Sequence, residues 1–242
     1  MCGRYATTRS AAELSRLFDA VDETDDQLVP DYNVAPTDPV PMIRLTSRPP
    51  ADDLAAGPHR VVSVARWGLV PHWAKDARVG ARMINARAET VAGSSAFGKA
   101  FAARRCLVPA DGWYEWVAPG RPYFMTPSTD EPLVFAGLWT ASDAVPGRLS
   151  CTVITTEAVG ELRRVHDRMP LLLPQDRWEH WLSASADDPR LLTPAGRDWL
   201  ATVELRPVSG AVGDVRNDGP DLVARVAEPL PEPEQGALFP VD

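Results

Sequence analysis

The sequence predicts a single α+β domain built mostly on antiparallel β-sheet. Apolar, β-branched segments at 61–70, 133–139 and 151–156 predict strands, whereas the segments with helical spacing are short. These strands and helices do not alternate as βαβ units, and 24 prolines interrupt the chain, which disfavours a doubly wound fold. The chain has 242 residues, of which 45% are hydrophobic, so it is long enough to bury one sizeable core.

Three segments predict short helices. Residues 10–13, Ser-Ala-Ala-Glu, have the form of a capping box, and the apolar residues that follow at helical spacing predict a helix ending near Ala20. Residues 95–105 predict a second helix, with arginines at the C-terminal end, where the helix dipole favours cations. Residues 176–182 predict a third helix, and residues 48–58 a variable loop.

Composition places the chain in the cytoplasm. No segment approaches the ~20 apolar residues that span a bilayer, and the N-terminus lacks the apolar region of a secretory signal. The three cysteines, Cys2, Cys106 and Cys151, are too few for a disulfide framework, and the last two lie in apolar runs typical of core residues. The sequence shows neither zinc-ligand spacing nor a phosphate-binding glycine loop, so we expect no metal and no cofactor.

The net charge of −8 disfavours nucleic acid as a partner, but the charge is distributed unevenly. Residues 60–105 contain nine basic residues against Asp76 and Glu89, a net charge of +7, which leaves −15 for the rest of the chain. A phosphate backbone responds to a local basic face within a Debye length of ~8 Å, not to the overall sign. The alternative is a solvated surface whose arginines pair with acids elsewhere.

Cys2 carries the most specific chemistry in the sequence. Its small side chain permits removal of Met1, which leaves a residue with both an α-amine and a thiol, of ordinary pKa ~8 and ~8.5. The amine attacks an aldehyde to form an imine, and the thiol then closes onto the imine carbon to give a five-membered thiazolidine. The alternative is an incidental cysteine after the initiator methionine.

Six segments stand out together, and in chain order they are Met1-Cys2-Gly3-Arg4-Tyr5, Asn33-Val34-Ala35-Pro36-Thr37, 67–73, 83–89, 113–116 and 166–170. As a set they resemble the SOS-response-associated peptidase (SRAP) family, the abasic-site processing proteins. The resemblance implies an SRAP-type domain over residues 1–226, with a barrel-like core, flanking short helices and Cys2 as the mature N-terminus. It also implies covalent capture of abasic sites in single-stranded DNA, which shields them during the replication-coupled response to DNA damage.

The resemblance implies roles for individual residues. Cys2 forms the crosslink, Asn85 positions the sugar, Glu115 acts as the acid and base, and His166 assists opening of the deoxyribose ring. The residues expected to hold phosphates beside the lesion are Arg4, Arg87 and Arg168. By the family's name, peptide-bond hydrolysis is a further implied activity.

Glu115 also has an interpretation of its own from the sequence. It lies among Trp113, Tyr114 and Trp116, where desolvation favours proton transfer near neutrality. On an alternating strand it shares one face with Trp113, and the alternative is an outward carboxylate.

The polar candidates each have a structural alternative. Asn85 and Arg87 share a strand face by their i,i+2 spacing, which suits one group for the sugar and one for a phosphate. Arg82 is a further candidate DNA ligand, but Arg82 and Arg87 equally suit surface ion pairs. His166 lies among arginines whose field favours a neutral, proton-accepting ring, although a lone histidine is more often structural.

The tryptophans divide into two groups. Trp67 and Trp73 lie between basic residues, where they are expected to stack on bases or to wedge the strand at the missing base; the alternative is burial in the core. Trp139, Trp178 and Trp181 are predicted core residues.

Residues 227–242 form an acidic, proline-rich tail whose composition predicts disorder. Within it, Gln235, Leu238 and Phe239 resemble the Gln-x-x-Leu-Phe peptide by which bacterial DNA-repair proteins bind the replication sliding clamp. The alternative is that Leu238 and Phe239 pack back on the domain. We expect a monomer associated with the nucleoid.

Three other functions stay open at this point. Cysteine-class glutamine amidotransferases also begin Met-Cys-Gly and use an N-terminal thiol, but Asn85, Glu115 and His166 have no place in that scheme. A cysteine peptidase that cleaves the Met1–Cys2 bond is the second. A non-enzymatic single-stranded DNA-binding module, in which Cys2 is dispensable, is the third.

Overall fold

Two β-sheets carry the fold in the computed structural model, which describes residues 2–48, 57–129 and 131–227. The five-stranded sheet has the order β13-β9-β8-β1-β3. Its strands are β1 (Tyr5–Thr7), β3 (Asp31–Val34), β8 (Gly112–Ala118), β9 (Arg121–Pro127) and β13 (Val203–Pro207). Every pairing in this sheet is antiparallel, as the sequence predicts.

The second sheet has eight strands in the order β12-β11-β10-β7-β4-β5-β2 with β6 attached to β11. Its strands are β2 (Ala20–Glu23), β4 (Pro39–Thr46), β5 (His59–Trp67), β6 (Asn85–Arg87), β7 (Arg105–Ala110), β10 (Leu133–Ala141), β11 (Leu149–Glu157) and β12 (Arg168–Pro170). A parallel pairing of β5 with β11 closes strands β11, β10, β7, β4 and β5 into a ring. The core is therefore barrel-like, and the expected α+β class is confirmed.

The strand predicted at 61–70 ends three residues early, at Trp67. Gly68 has φ 122°, a conformation that residues with a Cβ rarely adopt, and a Cβ there would lie 2.5 Å from the Gly80 carbonyl oxygen. The chain turns at this glycine because its backbone packs directly on Gly80. The strands predicted at 133–139 and 151–156 are confirmed as parts of β10 and β11.

The helices are short and lie on the flanks of the sheets. They are α1 (Ala11–Phe18), α2 (Gly98–Ala103), α3 (Trp178–Ser183) and α4 (Arg197–Leu200). The capping box before α1 is confirmed, since Ser10 Oγ accepts from the Glu13 amide and the Glu13 carboxylate accepts from the Ser10 amide. None of the helices in the described ranges combines the length and the apolar character that a membrane crossing requires.

The helix predicted at 95–105 covers only α2, and Arg105 begins β7 instead. Its guanidinium turns inward and donates to the carbonyls of Phe101 in α2 (2.7 Å) and Trp181 in α3 (2.6 Å), and also to that of Ala184. The cation therefore still serves the C-terminal ends of helices, but from an adjacent strand.

One apolar cluster joins the two sheets and contains Cys2. Cys106 and Cys151 are fully buried in the same cluster, so their predicted place in the core is confirmed. Trp178 and Trp181 are buried in a second cluster, as predicted, and Trp139 is partly buried against the guanidinium of Arg44. Residues 228–242 and most of the predicted 48–58 loop lie outside the described residues.

Candidate active site

Cys2 lies immediately before β1, buried where the two sheets meet. Only 4% of its surface is exposed. Its thiol hydrogen-bonds to the Glu115 side chain and lies 4.0 Å from the Arg168 carbonyl oxygen. Its own carbonyl accepts a hydrogen bond from Asn85 Nδ2 at 2.8 Å. Three segments that are distant in sequence therefore converge on one residue.

Glu115 faces the interior of the protein. It is 3% exposed on β8, where Trp113 packs in the Cys2 cluster while Tyr114 and Trp116 pack in a separate one. The predicted alternation of β8 is confirmed, and the alternative of an outward carboxylate is wrong. Sheet pairing explains the position, because β1 pairs directly with β8 and brings the N-terminal segment alongside Glu115.

The environment of Cys2 keeps its thiol neutral. Burial raises the pKa of the thiol well above its ordinary value, and the negative charge of Glu115 raises the pKa further. The hydrogen bond with the Glu115 side chain acts in the same direction. Cys2 therefore holds its proton at neutral pH, with a carboxylate in contact that can receive it.

Strand β6 places Asn85 and Arg87 as their spacing predicts. The residue between them, Ala86, is buried, and β6 pairs in parallel with β11. Asn85 reaches Cys2, whereas Arg87 is exposed and lines an open cleft of about 720 Å³. The rest of the cleft is lined by Glu157, Arg163, His166, Asp167 and Arg168.

His166 lies at the edge of this cleft, with 26% of its side chain exposed. Its Nδ1 accepts a hydrogen bond from the backbone amide of Arg168 at 2.9 Å, and it also lies 2.9 Å from Asp167 Oδ1. A neutral ring that accepts at Nδ1 carries its proton on Nε2. In that tautomer Nε2–H is a donor, and the predicted proton-accepting role of His166 stays a prediction.

Arg168 is held by the protein itself. Its Nη1 and Nη2 donate to the two oxygens of the Glu89 carboxylate at 2.7 and 3.0 Å. Nη2 also donates to the Thr155 carbonyl at 2.7 Å. The hydrogen bonds from Arg168 lower the pKa of the Glu89 carboxyl group. Glu89 belongs to the 83–89 segment, but no pattern in the sequence indicates that it pairs with Arg168.

Arg4 is likewise engaged within the fold. Its Nη1 donates to Asn33 Oδ1 at 2.6 Å and to the Val212 carbonyl at 2.8 Å. Burial lowers the pKa of the guanidinium, with Asp38 among the charges that oppose this shift. Arg4 thus links the N-terminal segment to the 33–37 segment, and phosphate binding by Arg4 stays a prediction.

The two tryptophans of the 67–73 segment have opposite environments. Trp67 is 1% exposed, donates from Nε1 to the Ile84 carbonyl at 3.0 Å and packs edge-on against Tyr5. The prediction that Trp67 stacks on bases is wrong, because neither face is open to a ligand. Trp73 is 68% exposed, so its predicted role stays open to test, as does that of the exposed Arg82.

The basic stretch at 60–105 does not form one continuous face. Arg60 pairs with Glu179 at 2.7 Å, Arg78 pairs with its neighbour Asp76, and Arg105 is buried. Arg163, from outside the stretch, instead joins Arg87 in the cleft. Proximity in the fold, which charge counting along the chain does not reveal, therefore decides which arginines share a surface.

No group of three or more His, Cys, Asp or Glu residues within 2–48, 57–129 and 131–227 is arranged to hold a metal ion.

The family model for SOS response associated peptidase (SRAP) matches residues 1–215. Because the match covers most of the chain, the chain belongs to this family. It is similar to two bacterial proteins named abasic site processing proteins. YoqW of Bacillus subtilis is 32% identical over 92% of this chain and 99% of its own length, and YedK of Escherichia coli is 29% identical over 93% and 100%. The abasic site processing protein HMCES of Gallus gallus is 29% identical over 96% of this chain and 80% of its own.

Solved structures share the fold. A protein from Bacteroides thetaiotaomicron superposes with a TM-score of 0.75 at 20% identity, over 93% of this chain and all of the other. A protein from Bordetella bronchiseptica superposes with a TM-score of 0.68 at 26% identity, over 86% of this chain and all of the other.

Proposed function

We propose that this protein captures abasic sites in single-stranded DNA on the α-amine and thiol of Cys2. The observation that carries the proposal is the convergence on Cys2 of Glu115, which contacts its thiol, and Asn85, which holds its carbonyl. The names of the relatives, abasic site processing proteins, support the same substrate.

The first step opens the sugar. The abasic deoxyribose is a cyclic hemiacetal, so its C1′–O4′ bond must break while the C1′ hydroxyl loses a proton and O4′ gains one. His166 is suited to protonate O4′, since a neutral ring whose Nδ1 accepts from the Arg168 amide carries a proton on Nε2. The product is a C1′ aldehyde.

The second step forms the crosslink. After removal of Met1, the Cys2 amine adds to C1′, and loss of water gives an imine. The thiol sulfur then adds to the imine carbon while its proton passes to the nitrogen. Glu115 contacts the thiol and is the group in place to carry that proton. The net reaction joins aldehyde and aminothiol with release of one water.

The state of the thiol favours this chemistry over hydrolysis of an amide. An N-terminal cysteine hydrolase begins with attack by a thiolate. Burial and the adjacent Glu115 raise the Cys2 pKa, which disfavours the thiolate. The capture reaction begins instead with the amine and needs the thiol only for ring closure. The proposal therefore assigns no amide hydrolysis to the Cys2 thiol, and removal of Met1 is a separate step that precedes capture.

DNA binding is proposed to follow the open cleft beside Cys2. Arg87 and Arg163 line it and Trp73 is exposed, so phosphates and bases have separate groups to contact. Arg82 and Arg4 are further candidates, whereas the Arg168 guanidinium is taken up by Glu89 and the Thr155 carbonyl. Because the net charge is −8, local contacts of this kind must supply the electrostatic attraction.

Intact-mass measurement tests the central proposal. Protein lacking Met1, mixed with single-stranded DNA that contains one abasic site, should gain the mass of the DNA minus one water. Cys2→Ala should form no heat-stable adduct, and Cys2→Ser should form only an imine that requires reduction. A matched control keeps one extra residue before Cys2, which leaves the thiol but places the Cys2 nitrogen in a peptide bond. Full crosslinking by that control, or by Cys2→Ala, contradicts the mechanism.

In the cell, we propose that the protein acts as a monomer at replication sites in the nucleoid. Gln235, Leu238 and Phe239 would bind the sliding clamp, and the rest of the 227–242 tail would supply reach. The proposal rests on the sequence pattern, because these three residues lie outside the described part of the chain.

A further inference from the structure

Arg168 contacts several parts of the site through both its backbone and its side chain, and phosphate binding alone would not require these contacts. Its carbonyl oxygen lies 4.0 Å from the Cys2 thiol, and its amide donates to His166 Nδ1 at 2.9 Å. Its guanidinium spans both oxygens of Glu89 and reaches the Thr155 carbonyl. The backbone of one residue therefore contacts two reactive side chains, while its own side chain is fixed at the far end.

The Glu89–Arg168 ion pair crosses a strand. Thr155 of β11 pairs with Arg87 of β6 and with Pro170 of β12, so β6 and β12 lie on opposite edges of β11. Glu89 follows β6 by two residues, and Arg168 begins β12. Arg168 therefore reaches over β11 at Thr155 to meet Glu89.

The crossing joins the two halves of the site. Strand β6 carries Asn85, which holds the Cys2 carbonyl, and β12 begins two residues after His166. Both strands are only three residues long, so few ladder hydrogen bonds hold either one in place. A bidentate, charge-assisted pair with the Arg168 side chain only 15% exposed adds a constraint that the ladders do not supply.

We infer that Glu89 is a positioning residue: by fixing the Arg168 guanidinium across β11, it sets the distance between Asn85 and His166 around Cys2. This inference rests on the proposed function for its catalytic consequence, but the structural tie itself does not. It also assigns the side chain of Arg168 to the protein, which leaves Arg87 and Arg163 as the arginines of the cleft that meet phosphates.

Glu89→Gln is the direct test, because glutamine keeps the size of the side chain and removes its charge. We expect the rate of adduct formation at saturating abasic DNA to fall about 10-fold or more, since small misplacements of reacting groups are costly. The DNA concentration at half-maximal rate should not rise, because the change removes a negative charge near the DNA.

Glu179→Gln is the matched control. Glu179 pairs with Arg60 at 2.7 Å and does not line the cleft, so the variant makes the same charge change at an arginine-paired glutamate without touching Arg168. Its saturating rate should stay within twofold of the wild type. Equal rates in the two variants would overturn the inference.

A second measurement needs no DNA. Hydrogen–deuterium exchange of the 165–170 peptide reports the Arg168 amide that binds His166. We expect faster exchange in Glu89→Gln and unchanged exchange in Glu179→Gln, with equal midpoints of thermal unfolding. Unchanged exchange in Glu89→Gln would refute the proposed positioning of Arg168 by Glu89. A wild type that forms no adduct would refute the proposed function, and the exchange data would still decide the role of Glu89.

Discussion

In the proposed mechanism, the surroundings of Cys2 give its amine and its thiol different roles. Cys2 is 4% exposed, its thiol hydrogen-bonds to the Glu115 side chain, and its carbonyl is held by Asn85. Because the thiol is protonated, we expect the amine to react first and the thiol to close the ring afterwards. A change at Glu115 should therefore act mainly on the thiol.

The pH dependence of thiol alkylation measures this coupling. Burial raises the Cys2 pKa first and the charge of Glu115 raises it further. In Glu115→Gln the second contribution disappears, so the pKa should fall while remaining above that of a free cysteine. The rate of Cys2 alkylation by iodoacetamide, followed by peptide mass, should then rise at lower pH than in the wild type.

Cys151 provides the internal reference for that experiment. Burial alone raises the pKa of Cys151 to about 12, and no charged group contributes to its shift. Its alkylation profile should be identical in the wild type and Glu115→Gln. A Cys2 profile that does not move relative to Cys151 would show that Glu115 does not influence the thiol.

Single residues also mark where the sequence is informative and where it is not. Strand alternation predicts that Glu115 and Trp113 share a face, but only the pairing of β1 with β8 decides that this face is buried against Cys2. Basic neighbours suggest a DNA platform at Trp67, yet its indole fills the core. Burial depends on which elements pack together, and spacing along the chain does not contain that information.

Among the elements, the junction of α2, β7 and α3 depends on one cation. The Arg105 guanidinium donates to backbone carbonyls of Phe101, Trp181 and Ala184, all near helix C-termini. Without it, the Phe101 and Trp181 carbonyls lose their donor in a buried site, and the Ala184 carbonyl loses its donor in a partly buried one. The helices on this flank should therefore loosen when the cation is removed.

Arg105→Ala should lower the free energy of unfolding by about 3 kcal/mol or more, because several buried acceptors lose their donor. Urea denaturation followed by tryptophan fluorescence measures the change. Lys99→Ala is the matched control, since Lys99 is exposed on α2 and carries the same charge. A comparable loss of stability in Lys99→Ala would mean that net charge, not the carbonyl contacts, is responsible.

Local signals predict elements better than they predict their ends. The capping box at Ser10 places the start of α1, because the cap is a contact between neighbours in sequence. The end of β5 depends on Gly68 packing against Gly80, twelve residues away. The closure of the barrel by β5 and β11 brings together segments more than eighty residues apart, so no local pattern announces it.

At the scale of the whole molecule, binding an abasic site and finding one in the cell are separate steps. In the proposed function the acidic chain binds single strands through a local cleft, and abasic sites are rare among those strands. Search by diffusion alone would be slow. A tether to the replication machinery raises the effective concentration near newly exposed template, where a stalled polymerase leaves abasic single-stranded DNA.

The C-terminal tail is the proposed tether. A single short peptide with Gln235, Leu238 and Phe239 should bind the sliding clamp of its own organism with an affinity on the order of micromolar, about 8 kcal/mol. Leu238→Ala combined with Phe239→Ala should abolish this binding in calorimetry and leave crosslinking in solution unchanged. Leu230→Ala combined with Val241→Ala, which removes two apolar residues outside the motif, should do neither. If the wild-type tail peptide shows no binding, Leu238 and Phe239 are better explained as anchors that pack on the domain, and their double variant should then lower its thermal stability.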